Sequence, residues 1–364
     1  MMTNTIYNFG AGPAKLPLPV IEQIKDEFLN FKGMGSSIIE ISHRSKEFDD
    51  MLCETDELFK EMVSLPDNYR VLYVHGGAQM QFSAIPLNLI HRKPAKKALY
   101  YLSGNFANIA CKEAEKFGEI KVMASSSETN FDRIPEFNPA DLENDASYAY
   151  ITSNNTLFGT RWHEFPDTGE LPLVVDATSE ILSREMDYSR FGLLFAGAQK
   201  NLGPSGIALV VIREDLLGHA PADTPKLLNY DIYDKKHSLA NTNNTFAIYV
   251  INLVLKWLKE QGGVAAIEKV NEKKAAFLYK TIDQLDFYQG HAHPDHRSIM
   301  NVTFNLPSQE LLDRFLSQAS EVGLTALKGH RSVGGARASI YNAMPMEGIE
   351  ALASFMVEFE KKNG

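Results

Sequence analysis

Cysteine is scarce in this sequence. Its 364 residues hold two, Cys53 and Cys111, neither in a CxxC nor in a Cys/His ligand spacing. A disulfide-stapled scaffold is therefore excluded, and since both lie in segments patterned as amphipathic helices, both read as buried free thiols. Positive charge is also short, with 36 Lys+Arg against 46 Asp+Glu and a formal net charge of −10. That balance argues against nucleic acid or an anionic membrane surface as a bulk electrostatic partner, so any anionic substrate needs a local basic pocket. Long apolar runs are missing too. The longest, residues 247–258, is too short and interrupted to span a bilayer, and residues 1–12 have neither a basic nor an apolar leader region. The expectation is a cytoplasmic, reducing location, where the sequon Asn154-Asn155-Thr156 carries no meaning. No G-x-G-x-x-G, no P-loop, no repeat and no low-complexity tract is present.

What remains is a globular composition, 44% hydrophobic and 23% charged, at a length that suggests two domains. Short β-rich runs at 70–74, 97–101, 120–123, 147–151, 173–176, 193–196 and 207–212 alternate with helix-length segments, which predicts an α/β layer with a mostly parallel sheet. Several runs are apolar throughout, as a sheet covered on both faces requires. After the Gly262-Gly263 pair that ends the apolar helix 245–260, long helices take over, with strands at 300–304 and 336–341. The stripes Leu312, Phe315, Leu316, Ala319 and Ile349, Leu352, Met356, Phe359 mark core-facing helices of a smaller α+β domain. The reading is a large domain at 16–260 and a small C-terminal domain at 261–364, joined by an N-terminal arm, 1–15.

Four features carry chemistry. Lys200 follows an apolar strand in a Gly-bracketed loop, Gly197-Ala198-Gln199-Lys200-Asn201-Leu202-Gly203-Pro204. A lysine desolvated at a sheet's edge can serve as a Schiff-base nucleophile, although an isolated loop lysine is more often a solvated cation. Asp176 ends the neighbouring apolar strand, at the rim where open α/β sheets bind ligands. It could partner a pyridinium nitrogen, or merely cap a helix. His75-Gly76-Gly77-Ala78-Gln79 opens a helix near Met80, either as a plain turn or as an anion site for a phosphate. Finally, no carboxylate lies between Val322 and Met346, while Lys328, His330, Arg331 and Arg337 cluster there, and Ser42-His43-Arg44-Ser45 has the same basic character. Such guanidinium groups suit a bound carboxylate or phosphate.

Together with Asn8-Phe9-Gly10-Ala11-Gly12-Pro13-Ala14, Glu40-Ile41-Ser42-His43-Arg44 and Lys328-Gly329-His330-Arg331-Ser332-Val333-Gly334-Gly335, these segments resemble the phosphoserine aminotransferase family of fold type I pyridoxal-phosphate enzymes over essentially the whole chain. The resemblance implies pyridoxal 5′-phosphate as cofactor, Lys200 as the lysine that bonds it and Asp176 opposite its ring nitrogen. It places Ala78, Gln79 and Gln199 near the cofactor phosphate and Thr156 close to the ring, with Phe106 where the family stacks Trp. It implies a homodimer in which Asn241 and Thr242 complete the neighbour's phosphate cup. Arg337 would hold the substrate α-carboxylate, with His330 and Arg331, joined by His43 and Arg44 across the dimer, on the distal anion. The implied activity moves the amino group of L-glutamate to 3-phosphohydroxypyruvate in serine biosynthesis, with 4-phosphohydroxythreonine of vitamin B6 synthesis as a further substrate. Where the family has Asn-Thr-Pro-Pro, this chain has Asn241-Thr242-Asn243-Asn244, which removes two φ-locked residues and predicts a looser loop. Gln79 stands where some members have Arg.

Three other chemistries compete. A cysteine desulfurase or related lyase needs a mobile loop thiolate, which helical Cys53 and Cys111 do not offer. A metal hydrolase would use His291, His293, Asp295 and His296, a stretch that Pro294 marks as an exposed loop. A serine hydrolase would need the closing glycine that Gly203-Pro204-Ser205-Gly206-Ile207 lacks.

Overall fold

The computed structural model describes residues 6–331 and 333–364; residues 1–5 of the arm and Ser332 of the basic segment lie outside it. The strands are β1 (Tyr7–Asn8), β2 (Tyr69–His75), β3 (Lys97–Leu102), β4 (Glu119–Ser125), β5 (Ala146–Thr152), β6 (Leu173–Asp176), β7 (Leu193–Gly197), β8 (Ile207–Arg213), β9 (Gln289–Gly290), β10 (Asn301–Asn305), β11 (Leu324–Thr325) and β12 (Ala336–Ser339). The α-helices are α1 (Leu18–Glu27), α2 (Lys46–Met62), α3 (Gly77–Leu89), α4 (Asn105–Ala114), α5 (Tyr230–Lys235), α6 (Thr245–Glu260), α7 (Gly263–Gln284), α8 (Gln309–Glu321) and α9 (Met346–Asn363).

A seven-stranded sheet of order β2-β8-β7-β6-β5-β3-β4 forms the large layer. The five strands from β4 to β7 run parallel, and β8 lies antiparallel to both β7 and β2. Side chains alternate between its faces. Leu209 and Val211 pack into one apolar core while Ala208, Val210 and Ile212 pack into the other. Each large aliphatic side chain so buried contributes about 1.5–3 kcal/mol, which is why β5 to β7 carry no exposed position. β4 is the exception, an edge strand whose exposed Glu119 and Lys121 blunt it against further pairing.

A third core gathers around β9, β10 and β12 with α7, α8 and α9, and Phe9 of the N-terminal segment is buried in it. β1 adds in parallel to β11. The long helix α7 serves two cores: Val264 and Ile267 belong to the one that takes Leu209 and Val211, Ala275, Leu278 and Ile282 to the third.

Two expectations need correction. Cys111 is buried, but Cys53 is exposed, because α2 turns that position outward while Leu52, Thr55 and Asp56 face inward. And α3 begins at Gly77, not near Met80. Gly76 and Gly77 both have positive φ, 86° and 66°, which lets the chain turn straight from β2 into the helix. Ala78 and Gln79 thereby enter the first turn.

Candidate active site

Because β6 and β7 are parallel, Asp176 and the Gly197–Lys200 turn emerge at the same rim of the sheet. A cavity of about 570 Å³ opens there, lined by Lys200, Asp176 and Thr156 in its floor and by Arg337 and His330 from the small unit. Ala78, Gln79, Gln199 and Phe106 also line it. Nine of the residues singled out in the sequence thus meet in one place. His43, Arg44, Arg331, Asn241 and Thr242 do not line it in the single chain.

Lys200 is buried, and its Nζ donates to Thr156 Oγ1 at 2.5 Å and lies 5.7 Å from the Phe106 ring centre. Burial lowers its pKa from the ordinary 10.5 to about 8; Asp176 opposes that fall and Arg337 adds to it. A large neutral fraction near neutral pH is what an amine nucleophile or base requires. Asp176 is buried too, and burial raises its pKa, partly offset by Thr178, whose N–H donates to Oδ1 at 3.0 Å, and by Lys200. A buried carboxylate so placed calls for a cationic or N–H partner.

The N-terminus of α3 lines the cavity with Gly77, Ala78 and Gln79, and the backbone N–H groups of a helix's first turn suit an anion. Arg337 lines it too, almost fully buried, its Nε without a hydrogen-bond partner and its pKa lowered by burial. A guanidinium of this kind suits a carboxylate or phosphate.

The sequence reading missed the frame that holds Arg337. Asn301 on β10 accepts from Asn154 Nδ2 at 2.8 Å and donates to Ser339 Oγ at 3.0 Å and Tyr341 Oη at 3.2 Å. Tyr341 in turn donates to the Ala11 carbonyl at 2.9 Å, and Asn154 Nδ2 also donates to Ser179 Oγ at 2.8 Å. β10 pairs with β12 so that Thr303 faces Arg337. The strand bearing the arginine is therefore tied through side-chain amides to the end of β5 and to the N-terminal segment. That segment also walls the site: Ala11, Gly12 and Pro13 line the cavity, and Ala14 N–H donates to the Gln199 carbonyl at 2.9 Å. Its motif had been read only as part of a resemblance, since nothing local in it signals proximity to Lys200.

The 241–244 loop departs from expectation. Asn243 is buried and donates to the carbonyls of Tyr73 and Ser238, both at 2.9 Å, while the Asn244 side chain caps α6 by accepting from Ala247 N–H at 3.0 Å. Two asparagines thus restore by hydrogen bonding what absent prolines do not fix. Asn241 Oδ1 meets His75 Nε2 of the same chain at 3.0 Å, which holds the loop beside the turn that begins α3.

Comparison with known proteins agrees with this geometry. The Aminotransferase class-V family model matches residues 6–352. The phosphoserine aminotransferase of Geobacillus kaustophilus is 51% identical over 357 residues, 98% of both chains. The solved phosphoserine aminotransferase from Bacillus circulans subsp. alkalophilus superposes with a TM-score of 0.96 at 44% identity over 100% of both chains. The pyridoxal-phosphate-bound enzyme from Trichomonas vaginalis superposes at 0.93 with 36% identity, covering 97% of this chain and 100% of that one. The chain belongs to the class-V aminotransferases and, within them, to the phosphoserine aminotransferase family.

Proposed function

We propose that this chain is a pyridoxal-phosphate-dependent transaminase that carries the amino group of L-glutamate to 3-phosphohydroxypyruvate, giving O-phospho-L-serine and 2-oxoglutarate in serine biosynthesis. The observation that carries the reading is a desolvated lysine and a buried carboxylate lining one cavity that a helix N-terminus and a buried arginine also line.

The residues fit the cofactor. Asp176, buried and accepting at Oδ1 from Thr178 N–H, suits a protonated ring nitrogen. The α3 N-terminus, with Ala78, Gln79 and Gln199, suits the phosphate, and Phe106 offers an aromatic face to the ring. When bound, the cofactor acts as an electron sink that makes the substrate Cα proton labile. Lys200 would hold the cofactor through Nζ, and its neutral amine, which the lowered pKa makes available, would accept the substrate Cα proton as general base and give it up again as general acid. Thr156 steadies Nζ between these states. Arg337 would grip the α-carboxylate, and the same pocket would accept either a phosphate or the glutamate side-chain carboxylate through His330, with Arg331, next in sequence but outside the cavity lining of the single chain, as a further contact of this proposal.

In this reading His43, Arg44, Asn241 and Thr242, which stand apart from the cavity of their own chain, reach the site of a second copy, so the working unit is a homodimer. The division into a cofactor-binding unit at 16–260 and a smaller unit at 261–364 with the arm 1–15 belongs to the same proposal. No helix among the described residues is long and apolar enough to cross a membrane, and the proposed location is cytoplasmic.

The test is the absorption spectrum of the purified protein before and after L-glutamate is added. The expected result is a cofactor band that shifts on glutamate and returns on 3-phosphohydroxypyruvate, with neither response in Lys200→Ala. A spectrum indifferent to both substrates, or full turnover in Lys200→Ala, overturns the proposal.

A further inference from the structure

Away from the cavity, α2 and the turn after α5 bring together a carboxylate, a thiol and an imidazole. Asp49 and Cys53 lie one helical turn apart on the exposed side of α2, and His237 faces them across the turn. One ligand atom from each lies within 4.8 Å of the other two. His237 is half-buried and held firmly. It has a left-handed backbone, φ 46°, followed by Ser238 at φ 62°, and its N–H donates to the Asp234 carbonyl at 3.0 Å. Ser238 is fully buried, and its Oγ accepts from Tyr73 N–H at 3.0 Å. Two consecutive non-glycine residues in that conformation persist only where the surroundings fix them.

Behind the imidazole stands a second carboxylate. Asp56 faces inward from α2, and its Oδ2 meets His237 Nε2 at 2.8 Å, while its Oδ1 has no hydrogen-bond partner. The contact with Asp56 fixes the orientation of the ring and leaves Nδ1 as its other nitrogen. A carboxylate holding the far nitrogen of a histidine is the usual outer support of a histidine metal ligand. The surrounding face is negative. Besides Asp49, the carboxylates of Asp50, Asp56 and Glu57 lie near Cys53, so a cation here meets negative charge.

We propose that Asp49, Cys53 and His237 form a binding site for a zinc-type divalent cation, with Asp56 orienting the histidine and water completing the coordination. The donor set selects the metal class: sulfur and imidazole with one carboxylate suit zinc, whereas magnesium and calcium ask for oxygen alone. At metal–ligand distances of about 2.0–2.3 Å, tetrahedral ligands stand roughly 3.3–3.8 Å apart, so rotations of the exposed Asp49 and Cys53 side chains toward the fixed His237 would close the site. Binding displaces the thiol proton into solvent and forms the sulfur–metal bond, with no change of oxidation state. The site's place in the fold gives it a role. It clips α2 to the root of the segment that runs through Ser238 and Asn243 to α6 and presents Asn241 to His75. The cation would act as a staple for that segment, distant from the reacting atoms.

The experiment is equilibrium dialysis of the cofactor-loaded protein against zinc chloride, followed by metal and protein analysis, on the wild type and on Cys53→Ser, His237→Ala and Asp49→Asn. Because Cys53 and Asp49 are exposed, their variants retain the fold, which circular dichroism verifies. The expected result is about one zinc per chain in the wild type, with affinity at least tenfold weaker in each variant, and unchanged uptake in His291→Ala and His293→Ala. Cobalt(II) should give visible d–d bands of tetrahedral type that vanish in Cys53→Ser. Absence of zinc from the wild type, uptake that survives Cys53→Ser and His237→Ala, or uptake lost instead with His291 or His293 would each overturn the proposal.

Discussion

Replacing Thr156 with Val removes the oxygen that Lys200 Nζ meets at 2.5 Å, and the consequence for the amine can be worked out. Burial, opposed by Asp176 and assisted by Arg337, brings Lys200 from 10.5 to about 8. At pH 7.5 about a quarter of the amine is then neutral, against about one part in a thousand for an ordinary lysine. Thr156 bonds the charged form with about 1.5–3 kcal/mol, but its hydroxyl can turn and donate to the neutral amine with about 0.5–1.5 kcal/mol. Only the difference, about 1–1.5 kcal/mol, moves the titration. At 1.36 kcal/mol per unit this is about one unit, so Thr156→Val should titrate near 7. The assay is competitive acetylation of cofactor-stripped protein with trace reagent across pH, the Lys200 peptide being quantified by mass spectrometry. Thr156→Ser, which keeps the hydroxyl, should titrate like the wild type. A Thr156→Val midpoint that stays in place or moves to higher pH would refute the account of how this amine is tuned.

Other outcomes follow from the same geometry. Asn301→Ala cuts three side-chain hydrogen bonds to Asn154, Ser339 and Tyr341 and should raise KM for glutamate roughly tenfold through misplaced Arg337, at about 1–2 kcal/mol, with the cofactor band unchanged; an unaltered KM would separate the asparagine frame from substrate binding. Gly12→Ala puts a Cβ at φ 137° against Gln199 Cγ at 3.2 Å and Lys200 Cγ at 3.3 Å, and kcat should drop by roughly tenfold or more. Lys274, fully buried, donates to the carbonyls of Ile340, Tyr341 and Met344, and burial lowers its pKa from 10.5 to about 7. Since the unfolded chain binds the extra proton between those values, the wild type should gain stability as pH rises above 7, a gain absent from Lys274→Met. The difference amounts to roughly 2 kcal/mol between pH 7.5 and 9 in urea titrations; parallel pH profiles for the two proteins would contradict it.

Each of the seven sheet strands was legible as a short β-rich run, and burial on both faces leaves the same apolar mark on β5, β6 and β7 whichever way a strand points. Direction was not legible. That β8 slots antiparallel between β2 and β7 depends on how the 198–206 segment doubles back, and Ala198 N–H bonding to the Ile207 carbonyl is a contact made only in the fold. Lys200 and Asp176 were visible since each ends an apolar strand. Asn154 and Asn301 were invisible, for nothing near either one in sequence announces its partner. Lys274 reads as one more solvated cation in Asn271-Glu272-Lys273-Lys274, and only three carbonyls from beyond β12 explain its burial. Cys53 was misjudged for the converse reason: an amphipathic pattern says that a helix has a buried face without fixing where a borderline residue falls on its edge.

The pairing of Tyr7–Asn8 with Leu324–Thr325 has a bearing on how the molecule is born. Tyr7–Asn8 waits for a partner that lies roughly three hundred residues further along the chain. Since the stretch just after that strand forms a wall around Lys200, the central sheet can be complete long before the catalytic chamber is. The chamber closes only when these two distant segments meet.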